Sequence, residues 1–229
     1  MRPAIPVLLA LAVLVAAERG AAQVVLSAAP DVATPDGGGA LGVQSTLDLT
    51  TSLRVTTDVN VRLVIGPASG DSALNGDFYA YLSHAGQIAV LVNRVGRTAS
   101  DSVGSLDNGF DVVLDDQSAT DIHVHTPVVQ PDYPATQLPL TGTWRPDGWN
   151  VLPTLVTDAS ARTATLSAFN GTDPNGEWTL FVSDFGSGAA GRLVRWELTV
   201  AAAVPEAPSW AWGLGAATLL LGTRRRFRR

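Results

Sequence analysis

The stretch from Leu47 to Ile65 constrains the fold more than any other. Its odd positions are Leu47, Leu49, Thr51, Leu53, Val55, Thr57, Val59, Val61, Leu63 and Ile65. Its even positions are mostly polar: Asp48, Thr50, Ser52, Arg54, Thr56, Asp58, Asn60 and Arg62. Successive side chains of a strand point to opposite faces, so this period of two describes strands with one buried and one wet face. The run is too long for one ordinary strand. It predicts two strands with a bend near Thr57-Asp58-Val59-Asn60.

The same reading extends along the chain. Asp77 to Ser83 carries Phe78, Tyr79, Tyr81 and Leu82, and Gln87 to Val92 is a continuous apolar run. Ser83-His84-Ala85-Gly86 between them suits a hairpin turn. Phe110, Val112 and Leu114 alternate with Asp111, Val113 and Asp115; Trp178, Leu180 and Val182 alternate with Glu177, Thr179, Phe181 and Ser183; and Trp196, Leu198 and Val200 close the body. Turn clusters such as Pro35-Asp36-Gly37-Gly38-Gly39, Asp107-Asn108-Gly109 and Asp173-Pro174-Asn175-Gly176 separate these runs. Many short strands with Gly/Pro punctuation predict an all-β fold, an antiparallel β-sandwich or jelly roll.

The ends differ from this body. Residues 1–22 read as a signal peptide: Arg2, an apolar run from Val7 to Ala17, then small residues with cleavage near Ala22-Gln23. Residues 204–229 read as a tail: Val204-Pro205-Glu206-Ala207-Pro208, an apolar segment from Trp210 to Gly222, and a cluster of arginines. Trp210 and Trp212 suit a membrane interface, and the arginines would remain cytoplasmic. The fold expected is therefore a β-sandwich over 23–203 between a signal helix and a short C-terminal transmembrane helix. That body has eight arginines against nineteen carboxylates, a balance of −11, and the chain has no lysine and no cysteine. Such a surface repels nucleic acid and attracts cations. Without cysteine, thiol nucleophiles and thiolate metal sites are excluded.

The order of Pro-Glu motif, apolar helix and Arg cluster resembles the PEP-CTERM sorting signal of Gram-negative bacteria. Ala207 stands where that family usually has its second Pro, which here follows at Pro208. The resemblance implies transient membrane insertion, an exosortase-type processing partner, and delivery to the cell surface or extracellular matrix, in company with exopolysaccharide. A second resemblance lies in the body. The run from Phe169 to Asp184 (FNGTDPNGEWTLFVSD), continued by Gly191 to Leu198 (GRLVRWEL), resembles the closing signature of the P domain of proprotein convertases. Asn75-Gly76-Asp77 and Leu114-Asp115-Asp116 resemble earlier elements of that family, so the likeness runs over roughly 43–201. It implies a jelly roll.

Candidate chemistry is sparse. No Gly-x-Ser-x-Gly elbow occurs, and His84, His123 and His125 are the only histidines. His84 is expected in a solvated turn. His123 and His125 are expected on one strand face, where His-x-His can bind a metal. No catalytic residue is assigned. Asp107, Asp111, Asp115, Asp116 and Asp121 crowd one segment, as carboxylates that hold structural calcium do. Some P domains carry calcium, and Asp115-Asp116 matches the family's acidic element. Trp144 and Trp149 could stack on a sugar ring if exposed, or fill the core if buried. The sequence thus points to a non-enzymatic exported surface or matrix protein, structural or adhesive. The alternatives are a carbohydrate-binding module for exopolysaccharide, and an accessory domain or hydrolase.

Overall fold

A computed structural model describes residues 21–68, 72–125 and 138–204. The expected signal segment up to residue 20 and the tail from Pro205 onward lie outside the described residues. The first strand opens at Ala21, next to the expected cleavage point. Among the described residues no helix is long and apolar enough to cross a membrane.

Among the described residues ten strands follow in order: β1 (Ala21–Ala28), β2 (Val32–Ala33), β3 (Gly42–Leu49), β4 (Val55–Pro67), β5 (Phe78–His84), β6 (Gln87–Asn93), β7 (Phe110–Leu114), β8 (Leu140–Trp144), β9 (Gly176–Asp184) and β10 (Gly191–Ala203). Short 3₁₀ turns at Asn75–Asp77 and Leu166–Phe169 are the only helical pieces among the described residues. One sheet has the order β1-β10-β4-β7-β8, with β2 also on β10; the other runs β3-β9-β5-β6. Every pairing is antiparallel except β7 with β8.

Alternation decides which side chains meet between the sheets. Val59, Val61, Leu63 and Ile65 of β4 are buried, with Phe110, Val112 and Leu114 of β7 and Trp196, Leu198 and Val200 of β10. From the other sheet come Phe78, Ala80 and Leu82 of β5 and Trp178, Leu180 and Val182 of β9, and all of them join one apolar cluster. A cluster formed by the inner faces of two sheets is the core of a sandwich.

The long period-two run does become two strands, but it breaks earlier than expected. The break is at 50–54, and Thr57 to Asn60 lie inside β4. The two halves do not pair: β3 joins the four-stranded sheet and β4 the larger one. Alternation continues through the break because both strands bury one face in the same core. The β5–β6 turn falls where the sequence places it, with Ala85 at φ 49° and Gly86 at φ 78°. Two positive φ values in a row are the twist-matched two-residue hairpin turn. At β6 the expected burial on both faces holds only for Ala89 onward, since Gln87 and Ile88 are exposed. Gly109, at φ 89°, lets the chain enter β7 against β4, where a Cβ would stand 2.2 Å from the Ile65 carbonyl oxygen.

Candidate functional site

The five carboxylates expected to form a cation site go to separate partners. Asp111, on the outer register of β7, accepts two bonds from Arg62 at 2.9 and 3.0 Å. Asp115 turns back to the amide of Gln117 at 2.7 Å. Asp116 accepts the amides of Leu166 and Ser167 at 3.2 and 2.7 Å, satisfying the start of the 3₁₀ turn there. Asp121 binds both Arg145 and Arg162. Asp107 is buried, accepts the Ser105 hydroxyl and meets His125 Nε2 at 2.8 Å. Among the described residues no group of three His, Asp or Glu is gathered as a metal cage requires. As placed, the five do not fit a calcium ion.

The histidines depart from expectation as well. His84 is not solvated: it ends β5, is buried, and stacks on Trp178 with ring centroids 3.8 Å apart and planes 4° from parallel. Its ring nitrogens face the carbonyls of Glu177 at 2.9 Å and Asp173 at 2.8 Å. His123 and His125 lie in a turn rather than a strand, and they serve different carboxylates. His-x-His spacing gives one face only in extended backbone.

His123 belongs to a buried clamp that the sequence reading missed. Its Nδ1 meets Asp147 Oδ1 at 2.8 Å, and its Nε2 donates to the Arg97 carbonyl at 2.8 Å. The other Asp147 oxygen accepts the backbone amide of Asn93 at the end of β6. Burial disfavours the imidazolium, but the hydrogen bond and charge of Asp147, with the Arg97 carbonyl, outweigh it and lift the His123 pKa. Both ring nitrogens point at acceptors, which only the doubly protonated ring can serve fully. The clamp stitches the segment 147–151 onto β6: Asn93 Nδ2 donates to the carbonyls of Trp149 and Val151, each at 3.0 Å. Trp149 is buried beneath His123, their centroids 3.9 Å apart, with Arg162 over its ring. Trp144 is half-buried, its indole N–H bonded to the Thr141 carbonyl at 2.9 Å. The two tryptophans therefore do not form a shared platform.

A second polar corner joins two of the sequence motifs. Asp77 and Asp184 lie side by side because Phe78 pairs with Asp184 across β5 and β9. Asp184 is buried and accepts the Gly186 amide at 3.0 Å, while Asp36 accepts the Gly188 amide at 2.8 Å. Burial, reinforced by the charges of Asp77 and Asp36, raises the Asp184 pKa from 3.8 to about 7. Arg94, 3.7 Å from Asp77, answers part of this charge. The native state holds a proton there that the unfolded chain releases near pH 4, so stability falls as pH rises from about 4 to 7. Asp184→Asn keeps an acceptor for Gly186 and removes the charge. It should raise Tm at pH 8 by roughly 3 °C and flatten the pH 5–8 slope in thermal melts. A variant less stable than wild type at pH 8 would refute this assignment.

The outer face of the four-stranded sheet carries a cluster of half-buried aromatic rings. Tyr81 and Phe181 stack at 5.0 Å and 26°, Tyr79 lies 5.9 Å from Tyr81, and Phe185 stands edge-on to Tyr79 at 6.3 Å. These rings floor a groove of about 490 Å³ walled by Ala40 on one side and Asn150 to Pro153 on the other. The signal was present in the sequence: Phe181 occupies the outward register of β9, between Thr179 and Ser183, where a polar residue is usual.

Residues 154–200, which include β9 and most of β10, match the family model of the proprotein convertase P-domain. No curated protein matches the chain. Solved structures similar to it include two of one protease. The serine protease of Aeromonas sobria in complex with the chaperone ORF2 shares 16% identity at a TM-score of 0.41, covering 81% of this chain and 28% of that one. The serine protease of Aeromonas sobria shares 14% at 0.43, covering 80% and 27%. This chain thus spans less than a third of the length of those structures.

Proposed function

We propose that the chain is a non-catalytic accessory domain of the P-domain kind, a jelly roll exported from the cell and sorted at the membrane through its C-terminal tail. The match over residues 154–200 is the observation that carries the domain assignment. The commitment of the polar groups supports a binding or structural role over catalysis. His84, His123 and His125 each hold a loop or strand end in place, and so do Asp116, Asp121 and Asp147. The sorting reading rests on Val204-Pro205-Glu206-Ala207-Pro208, the apolar run behind it and the terminal arginines. Its partners would be the inner membrane in transit and an exosortase-type enzyme, and its destination the cell surface or matrix. The acidic body gives nucleic acid nothing to bind.

The test is fractionation of cells making the full chain beside a version ending at Ala203, with intact masses of both products. The expected result is a full-length product shortened at both ends that leaves the inner membrane by a route the truncated version does not follow. An unprocessed product retained in the inner membrane would overturn the sorting reading.

A further inference from the structure

We infer that the aromatic groove on the outer face of the four-stranded sheet binds an uncharged oligosaccharide. This stands apart from the sorting proposal, which concerns the tail alone.

The chemistry of the lining selects the ligand. No charged side chain lines the groove, although the chain as a whole is acidic at −6. A cationic partner would be drawn to the carboxylates elsewhere, and an anionic one repelled by them. What the groove offers is flat and neutral. Tyr81 and Phe181 are near-parallel neighbours on adjacent strands, and Tyr79 extends their surface. The negative face of an aromatic ring suits the polarised C–H groups on the face of a pyranose.

The polar side chains of the lining are neutral ones able to bond sugar hydroxyls: the phenols of Tyr79 and Tyr81 and the amide of Asn150. Burial, then the neighbouring Tyr81, raises the Tyr79 pKa, so that phenol stays a neutral donor.

The wall is prepared in advance. Asn93 holds the carbonyls of Trp149 and Val151, and Arg97 holds that of Pro153. Ordering this loop before binding lowers the entropic cost of association. The volume falls in the range of small-ligand sites.

Calorimetric titration of the full chain with cellohexaose, laminarihexaose, maltohexaose and mannohexaose tests the inference, with hexagalacturonate as the charged control. At least one neutral hexasaccharide should bind with Kd of about 10⁻⁵–10⁻³ M. Tyr81→Ala and Phe181→Ala should each weaken that binding by about tenfold or more, while Trp144→Ala leaves it unchanged. If either groove variant fails to fold, Leu152→Arg, at a rim position 66% exposed, should block the groove with the fold intact. The inference is overturned if no neutral hexasaccharide binds up to about 10 mM. It is equally overturned if hexagalacturonate binds more tightly, or if binding survives every groove variant that folds.

Discussion

Replacing Asp147 by alanine is expected to cost about 3–5 kcal/mol of folding stability and to lower Tm by about 10 °C. The carboxylate is fully buried and its two oxygens do different work. One meets His123 and the other accepts the amide of Asn93. Alanine would strip His123 Nδ1 and the Asn93 amide of their partners while both stay buried, which is the costly half of breaking a buried pair. Asp147→Asn retains an acceptor for Asn93 and loses only the charge, so it should be milder. The double variant Asp147→Ala/His123→Ala should be less damaging than the sum of its parts, because no charge is then stranded. Urea unfolding of the three variants gives the comparison. An alanine variant within about 1 kcal/mol of wild type would show that the clamp contributes little.

The clamp also carries a pH signature. The His123 pKa is raised in the folded state, so the stability it provides is present below the ordinary histidine value and lost as pH climbs through the raised one. Asp184 acts in the same direction from about pH 4 to 7. Both groups therefore favour the mildly acid side, and the clamp lies directly behind the loop that walls the aromatic groove.

Much of this architecture was legible because alternation is a strong signal in a chain with few helices. The inward registers of β4, β7, β9 and β10 are visible as apolar residues at every second position, whereas Phe78 to Leu82 of β5 is apolar or aromatic on both faces. What alternation does not encode is which sheet a strand joins. Thr50 to Arg54 keeps the period of two through the crossover, so alternation alone sets the break between β3 and β4 too late. Carboxylate density misled in a different way. Five aspartates close in sequence suggested a cation site, but strand and turn geometry aims each at its own amide, imidazole or arginine. Neither the clamp nor the Asp77–Asp184 corner could be read from local spacing, since Asp147 reaches Asn93 and Asp184 reaches the start of β5 only across the fold. The outward aromatics Tyr81 and Phe181 were readable one strand at a time. Their stacking depended on the register between β5 and β9.

That register rests on Trp178, and Trp178→Ala should be the most damaging single change within the segment that matches the P-domain, at about 3–5 kcal/mol. The indole is fully buried, pairs across from Leu47 of β3, and donates its N–H to the Pro174 carbonyl at 2.9 Å. His84 lies flat on one face, and Phe169 meets the ring edge-on at 5.0 Å. Truncation would open a cavity beneath the β5–β6 hairpin and remove the surface on which His84 is stacked. Because interiors relax only partly, the lost transfer energy and the cavity both count. Trp178→Phe should retain more than half of the stability, since it keeps the stack while losing the N–H bond. His84→Ala should cost less than Trp178→Ala, as it removes the smaller ring. Midpoints from urea unfolding, at an unchanged m-value, would order the three variants. If His84→Ala proved the more damaging, the imidazole and its two carbonyl contacts, rather than the indole, would be what fixes the hairpin to β9.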